Sequence, residues 1–482
     1  MVPLSLLWLV LPSLLGAATA SPVQVPLVLP ADAEETLPRK NSGLKGRFLH
    51  LTDMHPDPHF RVDSAESTAC HRRKPKKEKE RSAYFGLPYG DCDSPLTLTN
   101  FTLDFLEKHW AKEVDFVIWT GDSARHDNDR ELPRTPDEIY TLNRAMVQRM
   151  NEVFTSRGIP VVPSLGNNDV WRPNSITNEF SKYQDTILGQ LFGHMNVDHF
   201  FFLQQEDTIL LDDDEFTESR LSISDSTSAR DDAQESSHSS LAESLMEDFS
   251  ELPKKAKTDL DDFSVINVGP SVVPNPYLPT FRVFAYNISG VEEDGALEEL
   301  KKKKKKEKKK KEKKTPKRKH GHKHPGKEAE VDCKKKENRE TWACRPKKPQ
   351  YASPDAPSRT STLWTPLGYA QYWLPDVGKA DKSEKPKFRL EYATFARSSL
   401  HPGSGAYPIP LKELPMSLRT ANETAEDGQK YMPYGLRDLT IGSWLGLARR
   451  LGEAKKGNAK VRAQFRQYMY QGAEQALMAL ME

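Results

Sequence analysis

The sequence predicts an α/β fold, and three observations carry that reading. Short apolar runs suited to buried strands lie at 47–51, 114–120 and 159–165. Segments with apolar residues at helical spacing separate them. Each run ends in a polar turn holding Asp, His or Asn: DMH at 53–55, GD at 121–122 and GNND at 166–169. Ligand-binding groups of α/β proteins collect just past the C-terminal ends of strands.

The elements follow in order. The N-terminus carries an apolar run at 4–15 and then Ala18-Thr19-Ala20, the pattern of a signal peptide or signal anchor over 1–20. The Pro-rich stretch 21–45 reads as a linker. The first strand, 47–51, runs into Asp53 and His55. These sit two positions apart, so both side chains reach one point past the strand end. A turn at 90–95 leads into a helix running to about 113, with Leu98, Phe101, Phe105 and Leu106 on its apolar face. The run 114–120 is a strand covered on both sides, and 136–157 patterns as a helix through Leu142, Met146, Met150 and Phe154. The stretch 159–165 is the next strand.

A first core part is expected over 46–204. The Ser- and acid-rich stretch 205–262 reads as a disordered insertion. Core pattern returns over 263–290, with strands at 263–268 and 280–288. The stretch 291–350 contains an almost pure lysine tract at 301–314 and reads as a second disordered insertion. The C-terminal region 351–482 is expected to supply one strand, at 388–395, and helices at 436–452 and about 460–480.

The net charge of +1 is a cancellation between the acidic and basic insertions, so the average says little about partners. The lysine tract lacks interleaved aromatics and no recognition module is present, so no specific nucleic acid is expected. The chain has four cysteines, Cys70, Cys92, Cys333 and Cys344, which allow three pairings. Sequence proximity favours Cys70 with Cys92 and Cys333 with Cys344. Sequons at Asn100, Asn287 and Asn422 fit a lumenal or secreted glycoprotein.

The polar turns together point to two divalent ions. Such a pair needs a shared carboxylate, terminal carboxylate, imidazole or amide ligands, and positions left open for water and phosphate. Asp53 and His55 are assigned to the first ion and Asp122 to the bridge. Asn167 and His194 are assigned to the second ion. The mixed N/O set fits Mn, Zn, Co or Mg. A water or hydroxide bridging the ions is the expected nucleophile. His199 is weighed between the site and packing, and Trp119 is assigned to core packing under the ligand turn.

The set DMH, WTGD, GNND and FGHMNVDHF resembles the calcineurin-like metallophosphatase superfamily. Longer stretches resemble the fungal vacuolar endopolyphosphatase family: FLHLTDMHPDPHF at 48–60, CDSP at 92–95, DFVIWTGDSARHD at 115–127, FGHMNVDHFFFLQ at 192–204, INVGPSVVPNPYLPTFRVFAYN at 266–287 and LGYAQYWLPD at 367–376. The resemblance implies a β-sandwich flanked by helices and a divalent-metal hydrolase. Its substrate would be inorganic polyphosphate, cut at internal phosphoanhydride bonds. It also implies a single-pass type II protein of the vacuolar membrane, anchored by its N-terminal segment with the bulk in the lumen; cleavage of that segment without vacuolar sorting would give a secreted protein.

In relatives the residue after the ligand Asn is often a phosphate-contacting His, and here it is Asn168. The resemblance therefore shifts phosphate contact or leaving-group protonation to His126, with Arg125 as an anion contact. Relatives also carry a further ligand His in a strand-end GH segment between the Asn motif and the last GH motif. No histidine occurs between Asn167 and His194. The middle of the catalytic domain is thus expected to be absent near 171–190. Two other readings stay open from sequence: an acid-sphingomyelinase-like phosphodiesterase, and a catalytically dead product that only binds polyanions. The sequence leaves the oligomeric state unassigned.

Overall fold

A computed structural model describes residues 43–73, 76, 79–170, 189–204, 240–291, 355–402, 407–421 and 430–473. All of these lie in one compact unit, Gly43–Glu482. The expected signal segment, most of the linker, the lysine tract, Cys333, Cys344 and Asn422 lie outside the described residues. No helix among the described residues is long and apolar enough to cross a membrane.

The chain enters through β1 (Arg47–Leu51) and a short β2 (Pro56–Asp57), which pairs in parallel with β3 (Ser94–Pro95). Helix α1 (Leu96–His109) follows, then β4 (Phe116–Trp119). Helix α2 (Pro136–Val153) starts where the Thr135 side chain accepts from Glu138 N, with Pro136 in the first turn. Proline is pre-set for that position, and the capping oxygen satisfies one of the orphan N–H groups of the helix start. Strand β5 (Val161–Pro163) closes this part.

Next come β6 (Gln190–Phe192), β7 (His199–Gln204), α3 (Leu241–Glu251), β8 (Phe263–Val268) and β9 (Thr280–Tyr286). Strands β10 (Pro366–Trp373) and β11 (Arg389–Ala393) and helices α4 (Ile441–Gly452) and α5 (Ala459–Met469) complete the described elements used below.

A six-stranded sheet has the order β11-β10-β9-β1-β4-β5. Strands β1, β4 and β5 are parallel, and β9 turns the sheet antiparallel at β1. A second sheet of three strands runs β6-β8-β7. Alternation along β1 divides the core. Leu49 and Leu51 face one side, where they join Leu98, Leu103, Leu106, Met146, Met150, Trp110 and Val117. Phe48 faces the other side, with Phe200, Phe249, Phe284, Trp444 and Phe465. There Phe48 stacks between Phe116 and Phe284, with ring centroids 4.9 and 4.8 Å away. Each such buried ring contributes roughly 1.5–3 kcal/mol. The central sheet is thus sandwiched between helices α1 and α2 on one face and the second sheet with α3 to α5 on the other. That arrangement agrees with the expected α/β class.

Four expectations need correction. The stretch 205–262 is not uniformly disordered: residues 241–251 form α3, which buries Ala242, Leu245, Met246 and Phe249. Ser240 and Glu243 make a reciprocal capping box at its start. Acidic composition hid an apolar stripe at helical spacing and the S-x-x-E signal. The C-terminal region supplies two strands, because 366–373 joins the large sheet beside β9. The first helix stops short of 113, and the last breaks after Met469, with residues 474–482 outside the described residues. Helix α1 ends at His109 and α5 at Met469, where Gln471 takes a φ of 49°. The Gln471 amide then turns inward and donates to Thr280 Oγ1 at 2.7 Å.

Residues 171–188, where the missing middle is expected, lie outside the described residues. Beside them, Val162 of β5 is 55% exposed and Leu165 is 68% exposed. Between the two sheets lies an apolar cavity of about 400 Å³ lined by Phe48, Phe116, Ile118, Leu191, Phe284 and Trp444.

Candidate metal centre

The parallel strands deliver their last residues into sharp turns. Asp53, His55 and Asp122 all have positive φ, at 49°, 39° and 56°. Such backbone is costly for non-glycine residues and persists where the surroundings over-determine it, often at functional sites. Backbone bonds tie the turns together: Asp53 N donates to Gly121 O at 3.2 Å, and His55 N donates to Asp122 O at 3.1 Å. Gly121, with φ 89°, lets the second turn form. A Cβ there would lie 2.2 Å from Gly166 N.

The three side chains converge in a buried cluster. His55 Nε2 stands 3.6 Å from Asp53 Oδ1 and 3.7 Å from Asp122 Oδ2. Its other nitrogen, Nδ1, lies 2.7 Å from the Ala124 carbonyl oxygen. A carbonyl only accepts, so Nδ1 carries the hydrogen and the neutral ring presents its Nε2 lone pair to the carboxylates. That nitrogen is buried and has no hydrogen-bond partner. An orphaned imidazole nitrogen between two carboxylates is a misfit for a closed polar core and a fit for a divalent cation. The Ala124 contact is the outer-shell bond that fixes the orientation of a ligating histidine.

The electrostatics agree. Burial opposes protonation of His55, but Asp53, Asp122 and Asp93 outweigh it and raise its pKa to about 9. Burial pushes the Asp122 carboxyl up, aided by the charge of Asp53. For Asp53 burial acts upward too, yet its contacts with His55 and the Thr52 hydroxyl hold it below the usual carboxylate range. The cluster holds negative charge at close quarters and takes a proton where a metal ion would otherwise balance it.

Asp169 shapes the rim. Its carboxylate accepts from Asp122 N at 2.8 Å, Ser123 N at 2.6 Å and Gly166 N at 2.9 Å. This winds 167–169 into a 3₁₀ turn. Successive side chains of such a turn point about 120° apart, so only one asparagine faces Asp122. It is Asn168, whose backbone N donates to Asp122 Oδ1 at 2.7 Å and whose amide Nδ2 donates to Oδ2 at 3.4 Å. The asparagine that meets Asp122 is thus Asn168, while Asn167, assigned to the second ion, is exposed.

His194 meets the centre through its backbone, whose N donates to Asp53 Oδ1 at 2.9 Å. Its residue is exposed, and the clustered ligand groups do not include its ring. Gly193 allows this approach, because a Cβ there would lie 1.9 Å from Asp53 Oδ2.

His126 stacks on His55 with ring centroids 3.9 Å apart. Its partner Asp93 is a residue that sequence reasoning missed. Asp93 accepts from His126 N at 2.6 Å and from Nδ1 at 2.7 Å. Its one sequence signal is its position in CDSP, beside a cysteine. Arg125 does not serve as an open anion contact. It is 1% exposed, paired with Glu138, and bonded to the carbonyls of His126 and Leu132. Burial with a carboxylate partner makes it a brace of the loop. His199 belongs to packing: its buried ring bonds the Val197 carbonyl at 2.9 Å. Trp119 is buried in the core as expected. Cys70 and Cys92 form a disulfide. Asn100 is exposed on α1, and the Asn287 side chain accepts from Ser289 N.

Comparison with known proteins bears on this geometry. The calcineurin-like phosphoesterase family matches residues 46–264. An endopolyphosphatase of Cryptococcus neoformans is 30% identical over an alignment covering 91% of this chain and 95% of that protein. The chain belongs to the endopolyphosphatase family. A Neurospora crassa endopolyphosphatase is 26% identical across 94% of this chain and 84% of its own length. A Saccharomyces cerevisiae endopolyphosphatase is 43% identical over 143 residues, 28% of this chain and 21% of that protein. The Cryptococcus alignment runs over 654 positions, longer than the 482 residues of this family member. That relative therefore has segments with no counterpart here.

Proposed function

We propose that this chain is a metal-dependent endopolyphosphatase that cleaves internal phosphoanhydride bonds of inorganic polyphosphate. The observation that carries the reading is the orphaned His55 Nε2 held between Asp53 and Asp122. The match to endopolyphosphatases across most of the chain favours this over the phosphodiesterase reading. Asp53, His55 and Asp122 would hold one divalent ion. A second would take Asp122, with the exposed Asn167 and His194 as its further candidate donors. Mn, Zn, Co and Mg all suit such donors. Bound ions of this kind neutralise charge on phosphoryl oxygens and lower the pKa of water.

The chain's own residues supply the rest. Asp93 accepts the His126 Nδ1 proton, which leaves Nε2 as the free edge of the ring. As the imidazolium, with a proton on Nε2 as well, His126 gives that Nε2 proton to the departing phosphate oxygen and is left as the neutral ring still donating to Asp93, a general-acid role. Asn168 steadies Asp122, and Asp169 steadies the turn that carries both.

For location we propose a vacuolar lumenal protein held by an N-terminal anchor, glycosylated at Asn100, Asn287 and Asn422. The apolar run at 4–15 and the sequons support it, as does a disulfide, which suits an oxidising compartment. A mass loss on glycosidase treatment of the natural protein checks the glycans. The activity is tested by polyphosphate shortening on a gel. Wild type with Mn²⁺ should cut and Asp122→Ala should not. Unchanged cutting by Asp122→Ala sinks the metal-centre reading.

A further inference from the structure

Three segments set the stacked pair His55 and His126: 53–57, 92–95 and 125–129. A fourth, Cys70-His71-Arg72, touches no ligand yet binds all three. His71 lies buried with a carboxylate on each ring nitrogen. Nε2 is 2.8 Å from Asp57 Oδ2, and Nδ1 is 2.7 Å from Asp129 Oδ2. Carboxylates only accept, so both nitrogens donate. Asp57 follows His55 by two residues, and Asp129 follows His126 by three. The ring thus bridges the two turns whose histidines stack on each other. Arg72 adds a two-pronged grip on Asp129, at 2.7 and 2.8 Å. Such planar pairing is directional as well as strong.

The third link is covalent. Cys70 is joined to Cys92, and Cys92 precedes Asp93, the residue that holds His126 by backbone and ring. Ser94 N in turn donates to His55 O at 3.1 Å. The tripeptide therefore reaches His55 by two routes and His126 by two routes.

We propose that His71 is a positioning residue, the pivot of a splint that sets His55 and His126 in register, with the Cys70–Cys92 disulfide carrying the same constraint to Asp93. The splint rests on the reading of Asp53, His55 and Asp122 as the metal centre. Losing a direct hydrogen-bond partner of a metal ligand typically costs about 10–100-fold in metal affinity or activity, and His71, which acts on the ligand turns through Asp57 and Asp129, falls at the lower end.

The test uses the full chain with its disulfide formed, comparing wild type, His71→Ala and a core control, Leu103→Ala. Mn²⁺ binding is measured by calorimetry, polyphosphate shortening as kcat and KM, and folding by thermal melting. For His71→Ala the Mn²⁺ Kd should rise and kcat should fall, each about tenfold, the lower end of that range, with KM little changed. Leu103→Ala should lower the melting temperature and leave Mn²⁺ affinity at the wild-type value. Wild-type Kd and kcat in folded His71→Ala overturn the splint while the metal centre stands. If His71→Ala does not fold, Arg72→Ala decides: it must raise the Mn²⁺ Kd severalfold, and an unchanged Kd overturns the proposal. A wild-type chain that takes up no Mn²⁺ overturns the metal centre and the splint together.

Discussion

Asp93 holds His126 at two points, accepting from its backbone N at 2.6 Å and from its ring Nδ1 at 2.7 Å. One carboxylate thereby sets both the position of the loop and the orientation of the imidazole. Burial alone would raise the Asp93 pKa, but the charge and hydrogen bonds of His126, with His55 adding, hold it below the usual range. Replacing Asp93 by Asn keeps the size and removes the charge. We expect kcat for polyphosphate shortening to fall about 100-fold, the lower end of a general-acid contribution. Mn²⁺ affinity should change far less than in His55→Ala. Steady-state kinetics beside calorimetry separates the two effects.

Metal removal should register in stability as well as activity. A ligand that binds only the folded state at 100 times its Kd adds about 2.7 kcal/mol. Chelator treatment should therefore lower the melting temperature of wild type, and Mn²⁺ should restore it. The His55→Ala protein should melt at one temperature with or without Mn²⁺, as read by scanning calorimetry.

Gly193→Ala tests close packing at the centre. The added Cβ would fall 1.9 Å from Asp53 Oδ2 and equally close to Thr52 Oγ1. Either the 193–194 backbone or the Asp53 carboxylate must shift, and the His194 N bond to Asp53 is lost. We expect Mn²⁺ affinity to fall at least tenfold, on the scale of a lost outer-shell contact. Wild-type affinity in this variant would contradict the packing described.

Glu391 makes stability depend on pH. Burial raises its pKa to about 8, and the charge of Asp198 adds to the rise against Gln371, Gln471 and Arg282. The fold therefore prefers the protonated acid. Below the unfolded-state pKa, near 4.3, both states are protonated and no penalty applies. As pH climbs from there to about 8 the unfolded chain ionises more readily, so stability falls, and it levels off above. Glu391→Gln copies the neutral form. Urea unfolding of this variant should show a flatter pH dependence between 5 and 8, and at pH 8 it should be more stable than wild type.

The legible parts of this molecule were local. Strand β1 could be read because RFLHL is an apolar run with a polar turn behind it, and α2 because its apolar residues recur at helical spacing behind Thr135-Pro136. Asp53, His55 and Asp122 were legible because each sits just past a strand end, where neighbouring parallel strands bring their last residues together. Helix α3 was missed because acidic composition was weighed above its periodicity. Asp93 and His71 were missed because a lone Asp or His in a turn carries no signal until its partner, 33 or 58 residues away, is placed beside it.

The sequence by itself determined the α/β class, the family resemblance and the identity of the three central ligand candidates, since these rest on spacing within short segments. Only the tertiary structure decided which asparagine faces Asp122, that Arg125 is spent on Glu138, and that Cys70-His71-Arg72 braces the site. The reason is geometric. Which side of a turn faces inward, and which distant carboxylate meets a given nitrogen, depend on backbone bonds between segments far apart in the chain, and no local pattern of residues encodes them.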